Sequence, residues 1–223
     1  MKCDIKIMAV PNRMGNVKVL CDKLGLSIEN DVYVDYKMEG KPLKTSRGAY
    51  CMPHEAGITH RLVLQDDIDV CNGLSGFCDS LVNKYPNAII ALFNSGYGAT
   101  NAPDNAIFKS NFLYGPAIII PLHYLEIMYS FLDRTNPEFS HSDWFYSLFG
   151  SIYQIPMITL NPVCIRHLKL NSEMGHTGKD RVSSPKVFES NPEIGKYRDL
   201  VGTSFILFKN TKLDYNKFLN NEI

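Results

Sequence analysis

Short apolar runs alternate along this chain with stretches of helical periodicity, and that alternation restricts the architecture more than any other feature. IKIMAV (Ile5–Val10), VYV (Val32–Val34), HRLVL (His60–Leu64), AIIALF (Ala88–Phe93), PAIIIP (Pro116–Pro121) and PMITL (Pro156–Leu160) read as strands. Between them, Val17, Leu20, Cys21 and Leu24 fall at helical spacing behind Asn16, which is placed to cap that helix. Leu74, Phe77, Cys78, Leu81, Val82 and Tyr85 form the clearest amphipathic stripe. Further helices are expected over Leu122–Leu132 and from Ser142 through Leu148. Strands and helices in this order predict an α/β fold, with a mostly parallel central sheet flanked by helices.

The remaining bounds are consistent with one such domain over residues 1–223. A hydrophobic content of 45% with 21% charged residues is that of an ordinary globular chain, which excludes a disordered one. No apolar run approaches the ~20 residues of a membrane-spanning helix, and MKCDIKIMAV has no apolar signal core, so no membrane partner and a cytoplasmic setting are expected. Six cysteines without a C-x-x-C pair are expected to be reduced and mostly buried. Ser172–Asp199 is polar and rich in Gly, Pro and Ser, which predicts a long C-terminal loop region. Net charge is zero, but residues 1–65 and 166–198 are net basic and 66–165 net acidic. A uniformly basic nucleic-acid binder is therefore not expected; a cation site flanked by polyanion-binding segments is.

The segment HRLVLQDDIDVC carries most of the chemistry. A strand runs directly into Asp66, Asp67 and Asp69, and ligands of parallel α/β sheets bind beyond the carboxyl ends of strands. Two carboxylates ~5 Å apart repel by roughly 3 kcal/mol at an effective dielectric of ~20, so such a group either takes up protons or shares a cation. An oxygen-rich donor set favours Mn²⁺ or Mg²⁺. On an extended strand Asp67 and Asp69 share one side and Asp66 faces the other. The alternative is a solvated acidic turn ahead of the helix at Leu74.

The strand-end acidic triplet, following an N-terminal α/β half and preceding a mixed second half, resembles the GT-A fold of nucleotide-sugar glycosyltransferases, including small bacteriophage-encoded, DNA-modifying members. The resemblance covers roughly residues 4–190. It implies a nucleotide and metal half over 1–73 and an acceptor-side half with a C-terminal lid over 74–223. It also implies a donor such as UDP-glucose and a divalent cofactor, Mn²⁺ or Mg²⁺. By the same resemblance Asp67 is a metal ligand and Asp69 a second or outer one. Asp66, Pro11 and Arg13 of AVPNR contact the nucleotide. FLYGPAIIIP supplies Tyr114 and Gly115 at the acceptor, and HSDWFYSLF supplies Asp143 as catalytic base with Trp144 beside it. NPVCIRHLKLNSEMGHTGKDR supplies His167 or His176 to the metal, with Lys179 and Arg181 as phosphate partners. The implied acceptor is a hydroxyl group, among them that of a hydroxymethylated pyrimidine in phage DNA; saccharide and protein acceptors are alternatives. The same aspartates also suit a two-metal phosphohydrolase or nuclease, and the pattern suits a non-catalytic nucleotide-sugar-binding module. Asp143 has a plain structural alternative, capping its helix.

Overall fold

The computed structural model describes residues 1–37, 42–94, 102–135, 142–168 and 188–205. Its strands are β1 (Cys3–Ala9), β2 (Val32–Val34), β3 (His60–Gln65), β4 (Ile68–Val70), β5 (Ile89–Ala91), β6 (Ala106–Ser110), β7 (Ala117–Pro121), β8 (Met157–Asn161), β9 (Ile165–His167) and β10 (Arg198–Phe205). The α-helices are α1 (Met14–Leu24), α2 (Ile28–Asp31), α3 (Pro42–Tyr50), α4 (Leu74–Lys84), α5 (Leu125–Thr135) and α6 (Ser142–Ile152). The protein is α/β, with a large central sheet in the order β10-β6-β8-β5-β7-β3-β1-β2 and a separate pair, β4-β9.

Within the large sheet β2, β1, β3, β5 and β8 run in one direction. β7, β6 and β10 run in the other. The strands nearest the N-terminus are parallel, and the mixed character belongs to the second half of the chain. β7, inserted antiparallel between β3 and β5, brings the loop before it to the carboxyl ends of its neighbours.

Two apolar layers hold helices to the sheet, and strand alternation assigns residues to them. Ile5, Ile7, Leu62, Leu64, Ile90, Ile119 and Ile158 face α1 and α4, where they meet Leu20, Leu74, Phe77 and Leu81. Val63, Ile89, Ala91, Ile118 and Ile120 face α3, α5 and α6, where they meet Leu43, Tyr50, Met128, Phe145 and Phe149. Fully burying such a side chain contributes roughly 1.5–3 kcal/mol each. Burial on both faces explains why β5 and β7 read as unbroken apolar runs rather than alternating ones.

One charged residue is part of this interior. Arg61, on β3, is fully buried yet well satisfied. Its Nε and Nη2 donate to the Asp4 carboxylate at 3.0 and 2.7 Å, and Nη1 donates to the Tyr50 carbonyl at 2.7 Å. Further bonds reach the Met52 and Pro53 carbonyls. The guanidinium thus closes the open C-terminal end of α3 onto the sheet.

Several sequence expectations change. Asn16 does not cap α1, because a 3-10 turn over Pro11–Arg13 precedes Met14 and places Asn16 inside the helix. The expected C-terminal loop ends earlier than Asp199: Phe188 bridges Val163, and β10 begins at Arg198 and pairs with β6. Strands β4, β6 and β9 and helix α3 lack a clear sequence signature, being short or of mixed polarity. Cysteines behave as expected: none is in a disulfide, and all but Cys51 are buried. Among the described residues no helix is long and apolar enough to cross a membrane.

Candidate functional site at the carboxyl end of β3

The strand β3 stops at Gln65, and Asp66 and Asp67 form a turn before β4 resumes at Ile68. The two-residue alternation expected of an extended strand therefore does not apply. Both aspartates instead converge on Arg13, whose Nη1 lies 2.7 Å from Asp66 Oδ1 and 3.0 Å from Asp67 Oδ2. Arg13 is delivered by the Pro11–Arg13 turn, which connects the end of β1 to α1. Pro11 fits the start of that turn, since its fixed φ suits a first helical position.

The β1–α1 connection holds Asp66 from several sides. The Val10 backbone N–H donates to Asp66 Oδ2 at 2.8 Å, and the Asn16 side-chain amide donates to the Asp66 carbonyl. Burial is the largest influence on the Asp66 carboxyl and pushes its pKa above the ordinary aspartate value, against the pull of Arg13 and the Val10 amide. With one oxygen on Arg13 and the other on a backbone amide, Asp66 orders this turn.

Asp67 points its other oxygen toward β9. Oδ1 lies 3.5 Å from His167 Nδ1, and the two side chains are 4% and 10% exposed, so both are screened from bulk water. The small β4-β9 sheet makes this meeting possible by pairing Ile68 with His167, and the Leu168 N–H donates to the Asp67 carbonyl at 2.8 Å. A T-shaped contact with the Phe93 ring at 5.1 Å fixes the imidazole plane.

Asp69 stands apart from this group. It lies on the outer face of β4, between buried Ile68 and Val70. Lys23 Nζ reaches Asp69 Oδ1 at 2.9 Å and Arg166 Nη2 reaches Oδ2 at 2.6 Å. Burial opposes ionisation there, but the Lys23 and Arg166 hydrogen bonds outweigh it and hold the carboxyl below its ordinary pKa. These two ion pairs tie α1 and β9 to β4.

Across β7 the site continues to α6. A Cβ added at Gly115 would meet Asp143 Cβ at 3.5 Å, Gln65 Nε2 at 3.6 Å and Ser142 Oγ at 3.6 Å. Gly115 therefore packs directly against the end of β3 and the start of α6, with a methyl group's space at ordinary contact distance from both. The Leu113 N–H donates to Ser147 Oγ at 2.9 Å, and that hydroxyl donates to the Asp143 carbonyl at 2.7 Å, which fixes the helix start against the loop before β7. Asp143 Oδ1 accepts the Trp144 N–H at 2.9 Å. A run of edge-to-face rings joins the two halves: Trp144 to Phe112 at 5.7 Å, Phe112 to Tyr114 at 5.2 Å, Tyr114 to Phe93 at 6.3 Å, and Phe93 to His167.

Arg13, Asp66, Asp67 and His167 are thus brought together at one end of the sheet, with Tyr114, Gly115, Asp143 and Trp144 adjoining across Gln65. His176, Lys179 and Arg181 lie outside the described residues. Asn16 and Phe93 belong to the site and were not identifiable as such: an asparagine after P-N-R reads as a helix cap, and the last residue of AIIALF reads as core.

One carboxylate oxygen and one imidazole nitrogen meet at Asp67 and His167; carboxylates are ligands of Mg²⁺ and Mn²⁺, and imidazole is a ligand of several first-row transition metals. Among the described residues no group of three or more His, Cys, Asp or Glu side chains forms a closed cage. Ions that also bind substrate phosphates characteristically use only one or two protein carboxylates. No protein-family model and no curated protein matches the chain.

Proposed function

We propose that this chain is a metal-dependent glycosyltransferase of the GT-A type, transferring a sugar from a UDP-sugar such as UDP-glucose to an acceptor hydroxyl. The observation that carries this reading is the approach of Asp67 and His167 beside Arg13 at the end of β3, with Asp143 adjoining across Gly115. A parallel N-terminal half and a mixed second half sharing one sheet also support it.

Asp67 and His167 hold the ion, with Mn²⁺ or Mg²⁺ as the candidates. Such an ion supplies Lewis-acid neutralisation of the charge that develops on a leaving diphosphate. Arg13 and Asp66 shape the β1–α1 turn against which the nucleotide rests. Asp143 accepts the proton of the acceptor hydroxyl, while Tyr114 and Trp144 offer apolar ring surface to the acceptor. Lys179 and Arg181 are assigned to the donor phosphates, and His176 to the metal as the alternative to His167, by resemblance alone.

The test is direct. Thermal shifts with UDP, UDP-glucose and other nucleotide sugars, with and without Mn²⁺, are expected to show a metal-dependent rise. Slow hydrolysis of the matching donor, faster when DNA containing hydroxymethylated pyrimidines is added, identifies both donor and acceptor. Release of phosphate from DNA in place of sugar release would overturn the transferase reading in favour of a nuclease.

A further inference from the structure

Asp67 and Asp69 draw their partners from the same two elements. Asp67 meets Arg13, at the entry to α1, and His167, on β9. Asp69 meets Lys23, in the last turn of α1, and Arg166, the residue of β9 next to His167. The strand register sets Asp69 directly opposite Arg166, one step from the pair formed by Ile68 and His167. The same helix and the same strand are therefore joined to this segment twice, once in the interior at Asp67 and once nearer the surface at Asp69.

The β4-β9 pair depends on such a fastening. It is separate from the large sheet, and its register covers only Ile68–Val70 against Ile165–His167. A two-stranded ribbon this short is marginally stable alone, and cross-strand side-chain pairs are what stabilise it. Asp69 Oδ1 accepts from Lys23 Nζ and from the Val70 N–H, both at 2.9 Å, and Oδ2 accepts from Arg166 Nη2 at 2.6 Å. Lys23 Nζ also donates to the Val70 carbonyl. Arg166 in turn lies over the Phe188 ring at 5.0 Å.

We infer that Asp69 is a positioning residue for the Asp67–His167 pair: through Arg166 it fixes where β9 presents His167, and through Lys23 it fixes the helix that follows Arg13. This rests on the metal site of the transferase reading above and adds a residue that sets ion affinity through its neighbours. Ligands whose support is loose by about an ångström hold an ion less well. The sign of the charge effect separates this role from plain electrostatics. A cation beside a divalent-ion site repels the ion, so by charge alone the loss of Arg166 strengthens binding. Positioning predicts the reverse: loss of Arg166 weakens binding, as loss of the Asp69 charge does.

The experiment titrates Mn²⁺ alone, followed by electron paramagnetic resonance, into the wild type, Asp69→Asn, Arg166→Met and the double variant. Amide hydrogen exchange at Leu168 is measured by NMR on the same proteins without metal. The Leu168 N–H donates to the Asp67 carbonyl at 2.8 Å, so it reports the approach of the two segments independently of any ion. Mn²⁺ affinity per folded molecule is expected to fall about tenfold in each single variant, with no further loss in the double variant. Leu168 exchange is expected to be at least tenfold faster in all three. Melting temperatures are expected to stay within about 5 °C of wild type, since partly exposed ion pairs contribute little to global stability. Unchanged or tighter Mn²⁺ binding in Arg166→Met overturns the inference, as does unchanged Leu168 exchange. Wild-type protein that binds Mn²⁺ no better than the variants overturns this inference alone. Wild-type protein that binds no Mn²⁺ overturns the metal site of the transferase reading as well.

Discussion

Asp67 Oδ1 and His167 Nδ1 stand 3.5 Å apart at the point where the β4-β9 pair crosses the end of β3. If this is a metal site, either ligand is individually necessary. Asp67→Asn and His167→Ala are each expected to abolish the Mn²⁺-dependent part of the thermal shift with UDP and to lower donor turnover by about 100-fold or more. EDTA is expected to do the same to the wild type, reversibly. Turnover that persists in EDTA and in both variants removes the metal from the mechanism.

Arg13 is shared by two buried carboxylates, so its loss is felt first in stability. Arg13→Met is expected to destabilise the fold by about 3–5 kcal/mol, the cost of leaving a buried charge without its partner. Excess Mn²⁺ is expected to restore a larger share of stability to the variant than it adds to the wild type. Urea midpoints with and without the ion measure both quantities, and equal increments would separate Arg13 from the metal site.

Asp143 has two readings that kinetics can separate. A catalytic base predicts that Asp143→Asn lowers kcat by about 100- to 10,000-fold while donor KM stays near wild type. A helix cap predicts a loss of only about 0.5–2 kcal/mol of stability and little change in kcat. Measuring both parameters alongside a melting curve distinguishes them.

His60 introduces a pH dependence unrelated to the site. Its Nε2 donates to the Pro86 carbonyl at 3.0 Å, and Nδ1 lies 2.8 Å from the Thr59 hydroxyl. Burial, the main influence, pulls its pKa below the ordinary histidine value despite the Pro86 bond. The unfolded chain therefore binds the proton more readily than the folded one. Stability is fully present above the unfolded pKa of about 6.5 and declines as pH falls through the lower folded value. Denaturation midpoints between pH 7.5 and 5 are expected to fall more steeply in the wild type than in His60→Gln, and parallel curves would exclude the effect.

Arg61 provides a control on the opposite side of the argument. Arg61→Met leaves Asp4 and several carbonyls without their donor and is expected to cost about 3–5 kcal/mol. Because Arg61 sits toward the Asp4 end of the sheet, UDP affinity per folded molecule is expected to be unchanged in calorimetry at low temperature.

How much of this was legible in sequence depends on the range of the forces involved. Strands such as β3 and β7 and helix α4 declared themselves because burial imposes a local period on the residues. The carboxyl end of β3 was legible as a candidate site because it joins an apolar strand to charges. What the sequence did not carry was the turn at Asp66–Asp67, which rotates Asp67 onto Arg13 and His167 and leaves Asp69 to Lys23 and Arg166. Those partners lie far along the chain, and no local pattern encodes which carboxylate meets which cation. Asn16 shows the same limit at short range: its residue type fits a cap, yet the start of α1 two residues earlier directs its amide to the Asp66 carbonyl.

The pairing of β4 with β9 has a consequence for synthesis. A growing polypeptide exposes both aspartates and Arg13 long before the imidazole that completes their neighbourhood has been made. During that interval Arg13 is the early compensating cation for the acids. The Asp67–His167 approach therefore forms only once the second half has joined the sheet, and under the proposed metal-site reading a ribosome-bound fragment ending before β9 is expected to show no response to manganese.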